Sequence, residues 1–324
     1  MKCIFFFFVG ILIFMTGCQT SVLKDNHLWL EDIEGDASIS WAKKQNEQTL
    51  SYVSKDDRYE PLKKQMTKIL TSKDRIPNPS YFGGYVYNFW QDKKSVRGVW
   101  RRATLASFKR KFPRWETVLD IDKLAEIEKE NWVYKGARCL PPQFERCLMT
   151  LSRGGTDASV MREFDIKKKK FVKGGFELPQ GKSDYSWLDK NHILVGTNFG
   201  EGTVSDSGYP IVVKVWRRGT PLSQAKEVFH GNTKDVGIWT SVKIGKHYVH
   251  PVITQSKTFF TGSNYYLKDL EKLILIPVPE SAEMVGILED QFIFQLRKEW
   301  SVNGANHLPG EIISFSVSEF LKNE

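Results

Sequence analysis

The chain has 324 residues, of which 41% are hydrophobic, 26% charged and 13% aromatic, with 47 basic against 38 acidic side chains and a formal net charge of +9. Ten tryptophans and 21 phenylalanines exclude a solvated, disordered tail, and 24 glycines with 13 prolines exclude a collagenous repeat while favouring a turn-rich fold. The length leaves room for roughly two domains of ~150 residues or one large β architecture.

Residues 1–17 read as a targeting segment. Lys2 supplies a short positive region, Ile4 to Phe14 an apolar run broken only by Gly10, and Met15-Thr16-Gly17-Cys18 a small-residue processing site. The apolar run falls well short of the ~20 residues that span a bilayer, so a signal is favoured over a permanent membrane helix. The last four residues resemble the lipobox of bacterial lipoproteins, with Met15 in place of the usual leucine. That resemblance implies cleavage after Gly17, acylation of Cys18, and a mature chain anchored by lipid to a bacterial membrane on the periplasmic side of the cell envelope. Removing the segment takes away Lys2 and no acid, so the charge of +9 becomes +8.

Residues 18–74 read as a linker and helical arm. Asp36 is placed to cap a helix carrying Ile39, Ala42, Leu50 and Val53. A second helix has Pro61 in its first turn and Tyr59, Leu62, Met66, Ile69 and Leu70 on one stripe. Both helices are amphipathic, and Trp29, Leu30, Ile33 and Trp41 add apolar surface that calls for a partner.

Pro77-Asn78-Pro79 ends the helical pattern, and residues 75–324 read as strands and turns, with one short helical turn at Ile121 to Glu128. Three segments share a strand-turn-strand pattern: Ser186 to Val195, Ser241 to His250, and Gly286 to Gln295, with starts 55 and 45 residues apart. A second hairpin pattern alternates with them, at Arg162 to Ile166, Val213 to Trp216, Tyr265 to Asp269, and Ile313 to Ser316. Two hairpins per ~50 residues make four strands per unit, the mark of a β-propeller blade, and the region has room for about five. A two-sheet sandwich accounts for the strands but not for the repeat.

Arg97, Arg101, Arg102, Lys109, Arg110, Lys111 and Arg114 fall within one stretch without an acid, interleaved with Trp100, Phe108 and Phe112. Behind an export signal this reads as a solvated strand pair or a contact with anionic lipid headgroups rather than a nucleic-acid face. Lys167 to Lys170 reads as a charged hairpin turn. Cys139 and Cys147 are either a disulfide, which an exported location permits, or two buried thiols.

Catalytic machinery is nearly absent from the motifs. Gly202-Thr-Val-Ser-Asp-Ser-Gly208 has the wrong spacing for a nucleophile elbow, and Gly154-Gly155 and Gly174-Gly175 read as turns. His247 and His250, three apart on a strand, point to opposite faces and make a poor metal pair. No metal site, cofactor motif or catalytic residue is assigned.

Other stretches carry a family resemblance. Leu28-Trp-Leu-Glu-Asp-Ile-Glu-Gly35 with Trp41 and Gln45-Asn46, then Tyr87 to Asp92, Arg97 to Arg102, Trp115 to Asp120, Asn131 to Gly136, Leu151 to Gly155 and Asp206 to Pro210, resemble in order stretches of the prolyl oligopeptidase family of serine peptidases. The resemblance implies a seven-bladed propeller that filters peptide substrates and a C-terminal α/β-hydrolase domain bearing a Ser-Asp-His triad, on which the N-terminal helices pack. No position here matches a triad residue. The expectation is therefore an all-β, incomplete propeller of about five four-stranded blades preceded by a helical arm, the N-terminal portion of such an enzyme without its catalytic half. Alone it is expected to lack peptidase activity, with a separate hydrolase polypeptide as a possible partner. The alternative is a lipid-anchored, non-catalytic propeller with a binding or scaffolding role in the envelope.

Overall fold

A computed structural model describes residues 25–322 except 33, 75 and 77, so the targeting segment and Cys18 lie outside the described residues. The chain divides into two compact units between Leu70 and Thr71.

In the first unit a 3-10 turn at Leu28–Glu31 precedes α1 (Asp36–Val53) and α2 (Tyr59–Leu70). Asp36 is not the cap it was expected to be. Gly35 takes that position in extended conformation, and Asp36 becomes the first helical residue, where its carboxylate still suits the helix dipole. Trp29 and Trp41 meet edge to face at 6.3 Å. Leu62, Met66, Ile69 and Leu70 form the expected stripe on α2, and all four are exposed.

The second unit is five successive antiparallel sheets. The first holds β1 (Ser80–Phe82), β2 (Tyr85–Trp90) and β3 (Val99–Thr104), then, after the single turn α3 (Leu105–Phe108), β4 (Glu116–Asp120). Asp120 caps α4 (Ile121–Glu128) by accepting from the Lys123 amide at 3.1 Å, and this helix carries the chain to the next sheet. There follow β5 (Trp132–Cys139), β6 (Arg146–Arg153), β7 (Ser159–Asp165) and β8 (Lys170–Phe171), with β9 (Glu177–Gly181) also paired to β7. The third sheet is β10 (Asp184–Trp187), β11 (His192–Gly196), β12 (Val212–Arg217) and β13 (Lys226–His230). The fourth is β14 (Gly237–Ile244), β15 (Val249–Ser256), β16 (Gly262–Lys268) and β17 (Lys272–Leu275). In the fifth, β18 (Glu283–Leu288) and β19 (Gln291–Gln295) pair, a small hairpin of β20 (Trp300–Val302) and β21 (Ala305–His307) intervenes, and β22 (Ile312–Ser316) joins β19 before α5 (Val317–Lys322).

The repeat seen in the sequence is the blade. The segments at Ser186, Ser241 and Gly286 are the first hairpins of sheets three to five, and the alternating pattern supplies their later strands. The fifth sheet differs from the expected four strands: among the described residues it has three, because the chain passes from β22 into a helix.

Strand alternation explains how blades stack. A central strand here is covered on both faces, so neighbouring residues enter opposite interfaces. Cys147 and Met149 pack toward the first sheet while Leu148 packs toward the third. Ile193 and Val195 face the second sheet and Leu194 the fourth; Ile253 faces the third and Val252 the fifth. The four apolar clusters are thus the four interfaces between five consecutive blades. Fully burying a side chain such as Phe164, Phe292 or Phe294 stabilises the fold by about 2 to 3 kcal/mol.

Candidate functional site

In a propeller the first strand of each blade runs nearest the central channel, so this wall is built from β1, β5, β10, β14 and β18. Period-2 alternation leaves every second side chain of β14 accessible, presenting Trp239, Ser241 and Lys243. Lys135 and Arg138 are accessible on β5, and Glu283 and Val285 on β18. The result is a mixed surface of cations, a carboxylate, a hydroxyl and apolar groups.

A polar staple holds the wall of blades two to four. Asp184 is buried and accepts from Arg138 Nη2 at 2.9 Å, from the Thr240 amide at 2.6 Å and from Thr240 Oγ1 at 2.7 Å. Ser186 Oγ donates to the Thr240 carbonyl at 3.0 Å, and Trp187 Nε1 donates to the Arg138 carbonyl at 2.8 Å. The Tyr185 hydroxyl shares a hydrogen bond with Thr150, and burial pushes its pKa up. One carboxylate thereby ties three adjacent first strands, and its charge is matched by Arg138 rather than left alone in the protein interior.

A second ionic cluster ties the later strands. Glu163 on β7 is buried and accepts bidentate hydrogen bonds from Arg218, which follows β12, at 2.8 and 2.9 Å. It also accepts from the Phe176 amide at 3.0 Å, while Arg146 lies 3.6 Å away and pairs with Asp165 at 3.3 Å.

Cys139 and Cys147 stand directly opposite each other in the β5–β6 register and are joined as a disulfide. Contrary to expectation, His247 and His250 do not share a strand: His247 lies in the turn between β14 and β15, and only His250 is a strand residue. His250 is buried with Nδ1 3.1 Å from the Tyr266 hydroxyl, and burial lowers its pKa, whereas His247 is exposed. His192, His230 and His307 each lie against a carboxylate three or four residues away, at 3.0, 3.2 and 3.1 Å. Among the described residues no cluster of three histidine, cysteine or carboxylate side chains has the geometry for a metal ion. Sequence reasoning missed the Asp184 and Glu163 staples. Their only signal is separation, since the linked residues lie 46, 55 and 56 positions apart, about one blade repeat.

Comparison with known proteins agrees with this architecture. Residues 15–294 match the model of the prolyl oligopeptidase N-terminal β-propeller domain. An uncharacterized peptidase of Sinorhizobium fredii is 40% identical over 306 residues, which cover 92% of this chain and 42% of that protein. An uncharacterized peptidase of Rickettsia prowazekii is 28% identical, covering 91% of this chain and 43% of its own length. The structure of a post-proline cleaving enzyme from Rickettsia typhi superposes with a TM-score of 0.84 at 28% identity, covering 91% of this chain and 45% of that one. Oligopeptidase B from Leishmania major, at 12% identity and a TM-score of 0.66, shares the fold. The chain thus spans less than half the length of these relatives. Five stacked blades, their order, and a match across most of the chain give one conclusion: the protein belongs to the prolyl oligopeptidase family, and the region described is that family's N-terminal β-propeller.

Proposed function

We propose that this chain is the part of a peptidase that controls peptide access, and that it does not itself cleave peptides. The observation that carries the reading is the accessible wall of first strands, with Arg138, Trp239, Ser241 and Lys243 held on a framework stapled by Asp184. A main chain threaded past such a wall meets hydrogen-bonding groups and apolar contacts without a preference for one side chain, which is what a filter needs. Acyl transfer requires a nucleophile, a base within hydrogen-bond reach and an oxyanion hole. The local histidine–carboxylate pairs on blade turns supply none of that arrangement.

The experiment is incubation of purified chain with a chromogenic proline peptide. No turnover above buffer is expected; turnover that follows the protein through successive purification steps overturns the reading. The proposal extends to the N-terminus: acylation at Cys18 would hold the propeller at a bacterial membrane, supported by the Met15 to Cys18 motif. Metabolic labelling with palmitate, expected for the natural chain and lost in Cys18→Ser, tests it. The Cys139–Cys147 bond belongs to the same exported setting. Intact mass should rise by about 2 Da on reduction, two hydrogens per bond broken.

A further inference from the structure

The two basic runs of the sequence converge on one surface. The β3–β4 connection, residues 105–115, has a fixed base. Thr104 Oγ1 accepts from the Ser107 amide at 3.2 Å, Ser107 Oγ accepts from the Arg114 amide at 2.8 Å, and Phe108 meets Trp115 edge to face at 5.9 Å. Beneath it the Arg101 guanidinium is stacked between Trp90 and Trp115, 4.2 and 4.3 Å from their ring centres, and donates to Asn88 at 3.0 Å. Lys169, from the lysine turn of the second blade, reaches across to Glu116 at 2.7 Å, and the same carboxylate accepts from Arg102 at 2.7 Å. Those two cations, Arg102 first, hold the Glu116 carboxyl down at about 2.

Glu116 is therefore already neutralised and does not offset the rest of the surface. A depression of about 310 Å³ is lined by Glu116 itself together with Tyr85, Arg102, Ser107, Arg110 and Arg114, so three guanidinium groups face its one carboxylate. Among the described ion pairs none engages Lys109, Arg110, Lys111 or Arg114. At the loop's tip Phe112 is 79% exposed, with the Lys111 ammonium 5.6 Å from its ring centre.

We propose that this surface docks on anionic phospholipid, with headgroup phosphates at Arg110 and Arg114 and the Phe112 ring seated at the headgroup–acyl boundary. Cations alone fit any polyanion. An exposed phenylalanine at the tip of a braced cationic loop discriminates, because it gains only where an apolar layer lies beneath the charge. The inference does not depend on the peptide-filter reading or on acylation of Cys18.

The test is cosedimentation of the full chain, as the Cys18→Ser variant so that no lipid anchor contributes, with vesicles of pure phosphatidylcholine and with vesicles containing roughly 30% phosphatidylglycerol, an anionic fraction that gives a substantial surface potential. Preferential binding to the anionic vesicles is expected, weakened by salt. The triple variant K109A/R110A/R114A should lose about 100-fold in partition, at roughly fivefold per cation, and Phe112→Ala should weaken binding separately. A control triple of exposed lysines outside the first-strand wall, K190A/K246A/K298A, makes the same charge change elsewhere and should stay within about twofold. Equal loss in the control, retained binding in the loop triple, or equal binding to phosphatidylcholine overturns the proposal. So does loop-dependent binding of polyglutamate without vesicle partition, which would assign the surface to an acidic polypeptide.

Discussion

The arm and the propeller both carry large apolar side chains but use them differently. In the propeller, Phe164, Phe176, Phe292, Phe294 and their neighbours are sealed between sheets, whereas among the described residues of α1 and α2 the only buried residue is Ser38. The propeller's clusters are built from residues of adjacent blades, so each blade supplies the next with a covering face. The arm has two helices of 18 and 12 residues, the shorter of a length at which helical hydrogen bonding alone is marginal in water. The lesson is that a repeat of sheets meets its own demand for burial, while two amphipathic helices by themselves do not.

The sharpest test of that contrast is truncation in each region. Phe292→Ala or Phe164→Ala should destabilise the propeller by about 3 to 5 kcal/mol in urea unfolding, as core cavities do. Leu62→Ala or Met66→Ala on the arm should change stability by less than about 0.5 kcal/mol. Comparable costs in the two regions would break the comparison.

Next in size are the ionic staples. Glu163→Ala leaves Arg218 and Arg146 without their buried partner and should cost about 3 kcal/mol, whereas removing the exposed Lys63–Glu60 pair of the arm should cost no more than a few tenths. Removing the disulfide with C139S/C147S, which frees a loop with a sequence separation of 8, should cost about 2 kcal/mol by loop entropy.

The smallest effects are those of pH. Burial holds His250 below its ordinary 6.5, so the folded state favours the neutral ring. Stability from this group is present above pH 6.5 and declines as pH falls below it; His250→Gln should flatten the melting-temperature slope there. Glu116 is lowered from 4.5 to about 2, so its contribution is present above pH 4.5 and is lost as pH falls toward 2. Because that side chain is 44% exposed, solvent screening keeps the effect small, and Glu116→Gln should change the acid-unfolding midpoint only slightly.

Much of this fold was legible in the sequence because a blade writes its hairpins at a fixed spacing. The turns at Lys190, Gly245 and Glu289 each sit at the same place in their blade, and Pro61 and the stripe from Leu62 to Leu70 announced α2. The β20–β21 insertion obeys no repeat, and the three-stranded form of the last sheet among the described residues was hidden because Ile313 to Ser316 has the ordinary strand pattern. The Asp184 staple was not legible for a physical reason. Its members, Arg138, Asp184 and Thr240, look individually like solvated polar residues, and only the stacking of blades brings them together. Likewise the basic runs at 97–114 and 167–170 read as separate surfaces until Lys169 met Glu116.

The most direct test of the central contrast is hydrogen-exchange mass spectrometry on the full chain. Strong protection is expected of β6, β11, β15 and β19, the second strands of their blades, with amides of α1 and α2 exchanging orders of magnitude faster. Protection of residues 36–70 equal to that of the blade strands would contradict the contrast, since the two helices would then be as firmly held as the sealed strands.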